Sequence, residues 1–102
     1  MQELKLADDM FPGLLSGDKE CTIRSGKRNI ELGYLAFSSV SGDIEPVVVD
    51  VIRVSHTLAR YIHVREAQAD GAVSVNALLT AMRRFYPDLT LDDVVTIVEF
   101  KL

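Results

Sequence analysis

The densest chemistry in the chain lies in one short run, Gly17-Asp18-Lys19-Glu20-Cys21-Thr22-Ile23-Arg24. It offers an amine, a hydroxyl and a guanidinium within six positions. In an extended strand, side chains alternate between faces, so Thr22 and Arg24 point the same way. Lys19 falls at the turn before that strand and can fold back over the shared face. A neutral amine beside a hydroxyl takes its proton as the oxygen attacks, which is one way to make threonine a nucleophile. The same residues also suit a plainer role. Threonine is a good strand former, and a lysine after a helix-capping glycine is commonly solvated. Cys21 alternates away from Thr22 and is expected in the core, where a free thiol packs as a small apolar group.

Other chemistries find less support. His56 and His63 are seven positions apart, and neither an HExxH run nor paired cysteines occur, so neither a metal nor another cofactor is expected. Ser25-Gly26-Lys27-Arg28 lacks the spacing of a phosphate-binding loop. The chain has a net charge of −4, whereas general nucleic-acid binders are positive. Its cations are nevertheless concentrated, with Lys19, Arg24, Lys27 and Arg28 in one ten-residue stretch. Such a patch suits a small anionic or base-bearing ligand, with RNA bound weakly. Tyr34, Tyr61 and Tyr86 are the tyrosines available to stack on a base, and the sequence does not choose among them.

The elements that must position these groups can be read from pattern. At 102 residues, 48% of them hydrophobic, the chain supports one core, and a single domain over residues 1–102 is expected. One cysteine allows no internal disulfide, which points to a reducing, cytoplasmic setting. The first residues do not read as a signal peptide, and no run approaches a membrane span.

A helix is predicted from Ala7 to Ser16, bent near Pro12-Gly13 and capped by Gly17. Strands follow at Cys21–Arg24, Tyr34–Val40 and Val47–Val54, the last apolar enough to be central. A short helix over Val64–Ala69 precedes the break at Asp70-Gly71. Ser74 then caps an amphipathic helix whose Val75, Leu78, Leu79, Met82 and Phe85 recur at helical spacing. A last strand runs from Val94 to Phe100. The core is expected to hold Val47, Val49, Val51, Ile52, Leu78, Met82, Ile97 and Phe100. This order predicts an α+β domain with a small, curved, largely antiparallel sheet and flanking helices.

On these elements, Gly17 to Arg24 resembles the G-x-K-x-x-T-I-R signature of the ASCH superfamily. Four further stretches are similar to that family's pattern in the right order: Glu31-Leu32-Gly33 before a strand, Ala67-Gln68-Ala69-Asp70-Gly71 before the long helix, Phe85-Tyr86-Pro87, and the closing Val98-Glu99-Phe100-Lys101. The resemblance implies a β-barrel-like fold related to the PUA RNA-binding domain. Among its short bacterial members it points to the N(4)-acetylcytidine amidohydrolases. Carried over by motif, Lys19 is the proton acceptor, Thr22 the nucleophile and Asp70 the proton donor.

The family's acid is usually glutamate, one methylene longer, so Glu66 about one helical turn earlier is a substitute beside the substrate. Arg24, Lys27 and Arg28 are expected to orient the nucleoside or stabilise charge. Glu20 would oppose a neutral Lys19 unless the turn rotates it outward. The implied partner is an acylated nucleoside, with no membrane. Two alternatives use the same basic cleft: a module that binds RNA or a modified nucleoside without chemistry, and an ASCH-type ribonuclease.

Overall fold

The computed structural model describes all 102 residues. Five strands form one mixed sheet: β1 (Gln2–Leu6), β2 (Cys21–Ser25), β3 (Gly33–Ser39), β4 (Val47–Leu58) and β5 (Val94–Lys101). Their order is β1-β3-β4-β5-β2, with β1 parallel to β3 and every other neighbour antiparallel. The sheet curls into half of a barrel. Three helices flank it: α1 (Phe11–Ser16), α2 (Val64–Asp70) and α3 (Val75–Met82). The expected α+β class and largely antiparallel sheet are therefore those of the molecule.

Burial alternates along the strands and divides the core in two. Leu35, Phe37, Val49, Val51, Val98 and Phe100 pack inward with Phe11 and Leu14 of α1. Cys21, Ile23, Val95 and Ile97 face the other way, under Leu78, Leu79 and Met82 of α3 and Ala67 of α2. Strand β5 is thus buried on both faces. Phe37 and Phe100 meet edge to face at 5.2 Å between centroids, an arrangement worth about 0.5–1.5 kcal/mol beyond area burial.

Several expectations need correction. Residues 2–6 form a strand that was not anticipated; Leu4 and Leu6 alternate inward with Glu3 and Lys5 outward. The predicted helix from Ala7 begins only at Phe11, after a 3-10 turn at Asp8–Met10, and Pro12 lies in its first turn. Proline is tolerated there because the first helical N–H groups have no partner to lose, so it starts the helix rather than bending it. Strand β4 runs on to Leu58 and takes in His56.

Ile52, expected in the core, is exposed. With Val49 and Val51 turned inward, strand alternation alone puts Ile52 outside, and the extra residue in the β4–β5 register between Val51 and Arg53 shifts the phase only beyond it, turning Val54 toward the core. Val47 is only partly buried. Phe85 lies beyond the end of α3 and is half exposed.

Candidate active site

Two helix ends bring the signature residues together. Gly17 ends α1 in the left-handed conformation (φ 87°), and Gly71 does the same directly after Asp70 at the end of α2 (φ 110°). Glycine adopts that conformation without the Cβ penalty of other residues. The turn after Gly17 is tied down by two backbone bonds, Lys19 N–H to Gly13 O at 3.0 Å and Glu20 N–H to Ala69 O at 2.7 Å. The second bond joins the start of β2 to the last turn of α2 and sets Lys19 against Asp70.

Lys19 and Asp70 form a buried ion pair with Nζ–Oδ1 at 2.7 Å, the two residues being only 4% and 7% exposed. Lys19 Nζ also donates to the carbonyls of Cys21 and Asp70, each at 2.9 Å. All three ammonium protons are thereby used. The other carboxylate oxygen, Asp70 Oδ2, accepts from the Ile23 N–H at 2.8 Å, along the outer edge of β2. Glu20 is exposed, turned away from the pair.

Thr22 faces the inner side of the sheet and is 2% exposed. Its Oγ1 accepts from Arg24 Nε at 2.9 Å, as strand alternation requires of residues two apart. Burial lowers the Arg24 guanidinium from its ordinary range, and the Arg28 cation pushes the same way against Tyr86 and Asp70. Arginine nonetheless stays charged in proteins.

Arg28 is held by its surroundings. Its Nε donates to Ser25 O at 3.0 Å and its Nη2 to the Tyr86 hydroxyl at 3.2 Å. Thr96 on β5 fastens the same loop: its hydroxyl donates to Gly26 O and accepts from the Arg28 N–H, both at 2.7 Å. His56 Nε2 lies 3.0 Å from Arg28 O.

Six of these side chains line one cleft of about 920 Å³, which runs along both outer strands, from Glu3–Leu6 on β1 to Thr22–Arg24 on β2. Lys19, Thr22, Arg24, Arg28, Asp70 and Tyr86 make its polar wall, and Leu4, Leu6, Met10, Leu78, Met82 and Phe85 its apolar side. The volume is ample for a nucleoside or nucleotide, since small-molecule sites generally measure about 300–1,000 Å³.

Two residues singled out in the sequence do not line this cleft. Lys27 is exposed beside it. Glu66 caps its own helix, accepting from the His63 N–H at 2.7 Å, and borders a separate small groove with Cys21, Arg53 and Glu99. Conversely, Tyr86 is the tyrosine in the cleft, while Tyr34 and Tyr61 stand exposed elsewhere. Its place beside Pro87 in the family-like pattern was the available signal.

Cys21 is 1% exposed, and burial, followed by the Asp70 charge, pushes its thiol far up. A thiol held protonated is a poor nucleophile. No group of three or more histidine, cysteine or acidic side chains gathers as a metal site, and no helix is long and apolar enough to cross a membrane.

Known structures share this architecture. A crystal structure from Enterococcus faecalis, described as belonging to the DUF984 family, superposes with a TM-score of 0.81 at 14% identity. The match covers all of this chain (100%) and 76% of that one. An ASCH domain from Lactobacillus crispatus superposes with a TM-score of 0.77 at 16% identity, over 98% of this chain and 79% of its own. A crystal structure described as a hypothetical protein gives 0.71 at 16%, covering 98% and 96%. The fold is therefore that of the ASCH domain, as the signature residues implied. No family model matches the sequence, and no curated protein does.

Proposed function

We propose that the protein is an amidohydrolase that removes the acetyl group from N(4)-acetylcytidine or a related acylated cytosine nucleoside. The observation that carries this reading is the convergence of Lys19, Thr22, Arg24 and Asp70, from a turn, a strand and a helix end, on one wall of one cleft.

The buried pair can supply both an acid and a base. Substrate filling the cleft expels water, and loss of water disfavours charged forms. The proton then passes along the 2.7 Å contact from Lys19 Nζ to Asp70 Oδ1. This leaves a neutral amine and a protonated acid side by side. Thr22 Oγ1 attacks the acetyl carbonyl and gives its proton to Lys19. Arg24 Nε, which already donates to Thr22 Oγ1, holds that oxygen in place with its proton free to leave. The C–N bond breaks, the departing amine takes the proton from Asp70, and the resting ion pair is restored. Water then attacks the acetyl-threonine ester. Its proton passes through the same pair back to Thr22, and acetic acid leaves.

One observation favours a second reading, a module that holds a modified nucleoside without cutting it. In the resting structure all three Lys19 protons go to backbone and Asp70 oxygens, and none of these bonds involves Thr22.

Incubation with N(4)-acetylcytidine, followed by chromatography for cytidine, separates the two. The proposal expects turnover by the native chain, near-complete loss in Thr22→Ala and substantial activity in Cys21→Ser. Binding without any cytidine release would favour the second reading.

A further inference from the structure

Two cations of the cleft, Arg24 and Arg28, have no carboxylate partner. The cleft's acids are already engaged: Glu3 with Lys5 and the Ser38 hydroxyl, Asp9 with Arg84, Asp18 with the Ser16 hydroxyl, and Asp70 with Lys19. None of the five ion pairs involves Arg24 or Arg28. Arg28 Nη2 donates to the Tyr86 hydroxyl at 3.2 Å, and Arg24 lines the same wall of the cleft. Both are only partly exposed. Lys19 and Asp70 pair with each other, so Arg24 and Arg28 keep their two charges without an ion-pair partner, in a chain whose net charge is −4.

Cations drawn out of water without a counter-charge are costly unless a ligand completes them. Guanidinium groups offer planar, forked donors that match phosphate oxygens. The loop that presents Arg28 is also braced, by Thr96 and His56, so little ordering is needed when an anion arrives.

We infer that Arg24, Arg28 and Tyr86 form a subsite for a phosphate monoester, so that the cleft prefers a cytidine nucleotide to the free nucleoside. The inference rests on the nucleoside-binding reading above and adds the class of substrate. Two positive charges match the dianion of a terminal phosphate, whereas each diester linkage of RNA carries a single negative charge. Tyr86 serves as a positioning residue that holds Arg28.

Binding of ligands without an acyl group tests this independently of any hydrolysis. Calorimetry at low salt compares cytidine, cytidine 5′-monophosphate and a short oligocytidine that lacks terminal phosphates. The monophosphate is expected to bind at least about tenfold tighter than cytidine, with the oligomer gaining less, from the strength of charge-assisted arginine–phosphate bonds. Arg28→Gln should bring the monophosphate to within about twofold of cytidine, and the milder Tyr86→Phe should reduce the preference in part. Equal affinities for cytidine and its monophosphate would overturn the phosphate subsite alone. An oligomer that binds tightest would overturn it in favour of a diester-binding groove. If none of the three ligands binds, the nucleoside reading falls with it.

Discussion

Thr22 and Cys21 are adjacent in sequence and opposite in circumstance. Strand alternation turns the hydroxyl to the cleft and the thiol into the core beneath α2 and α3. That division was legible in the sequence, because it needs only a strand and its period. The state of Lys19 was not, because its partner lies 51 positions away in the chain.

The Cys21 thiol has a measurable consequence. Its folded value is raised above the ordinary 9.0, chiefly by burial. Below that value both folded and unfolded chains keep the proton, and stability does not depend on it. Above it the unfolded chain releases a proton that the folded chain retains, so stability falls as pH rises. For one proton the slope approaches about 1.4 kcal/mol per pH unit. Chemical denaturation from pH 7.5 upward (about one and a half units below the thiol's ordinary value) should show the native chain losing stability faster than Cys21→Ala. Parallel curves would show that the thiol is not held protonated.

Among the elements, those with strong signals were readable and the short ones were not. The β-branched run of β4, the serine cap of α3 and the closing strand all stand where their residues place them. Strand β1 was missed because only Leu4 and Leu6 mark its inward face and its parallel partner β3 begins 27 positions beyond its end (33 minus 6). Ile52 was misplaced because the run around it is apolar at odd and even positions alike, whereas only the face of Val49 and Val51 is covered.

The end of α2 is a junction, since Asp70 holds two elements at once through Lys19 and the Ile23 N–H. Asp70→Asn keeps the shape but removes the charge, and its amide must face a donor at one of the two contacts. Breaking one half of a buried pair costs about 3–5 kcal/mol, and a loss of that size is expected in urea denaturation. A loss below about 1 kcal/mol would place the pair among weak surface contacts.

An acidic chain folds into a half barrel whose two outer strands border a cleft with a basic end. The signature residues came together because α1 and α2 each end at a left-handed glycine beside the start of β2. Charge counting over the sequence grouped Lys27 with its neighbours, but a loop turns Lys27 out and Arg28 in, which net charge and spacing do not reveal. Glu66 was a plausible acid by helical spacing, and the capping box of α2 uses it instead.

In the proposed reaction Lys19 gives up and takes back a proton while Thr22 carries the acyl group. Arginine at position 19 would keep the positive charge and could still pair with Asp70, but it does not deprotonate in the accessible pH range. The direct measurement is hydrolysis of N(4)-acetylcytidine by the native chain and by Lys19→Arg, with circular dichroism confirming that both are folded. The account predicts turnover by the native chain and almost none by the arginine variant at any pH tested. Near-normal turnover by Lys19→Arg would contradict it and leave Lys19 an electrostatic part alone.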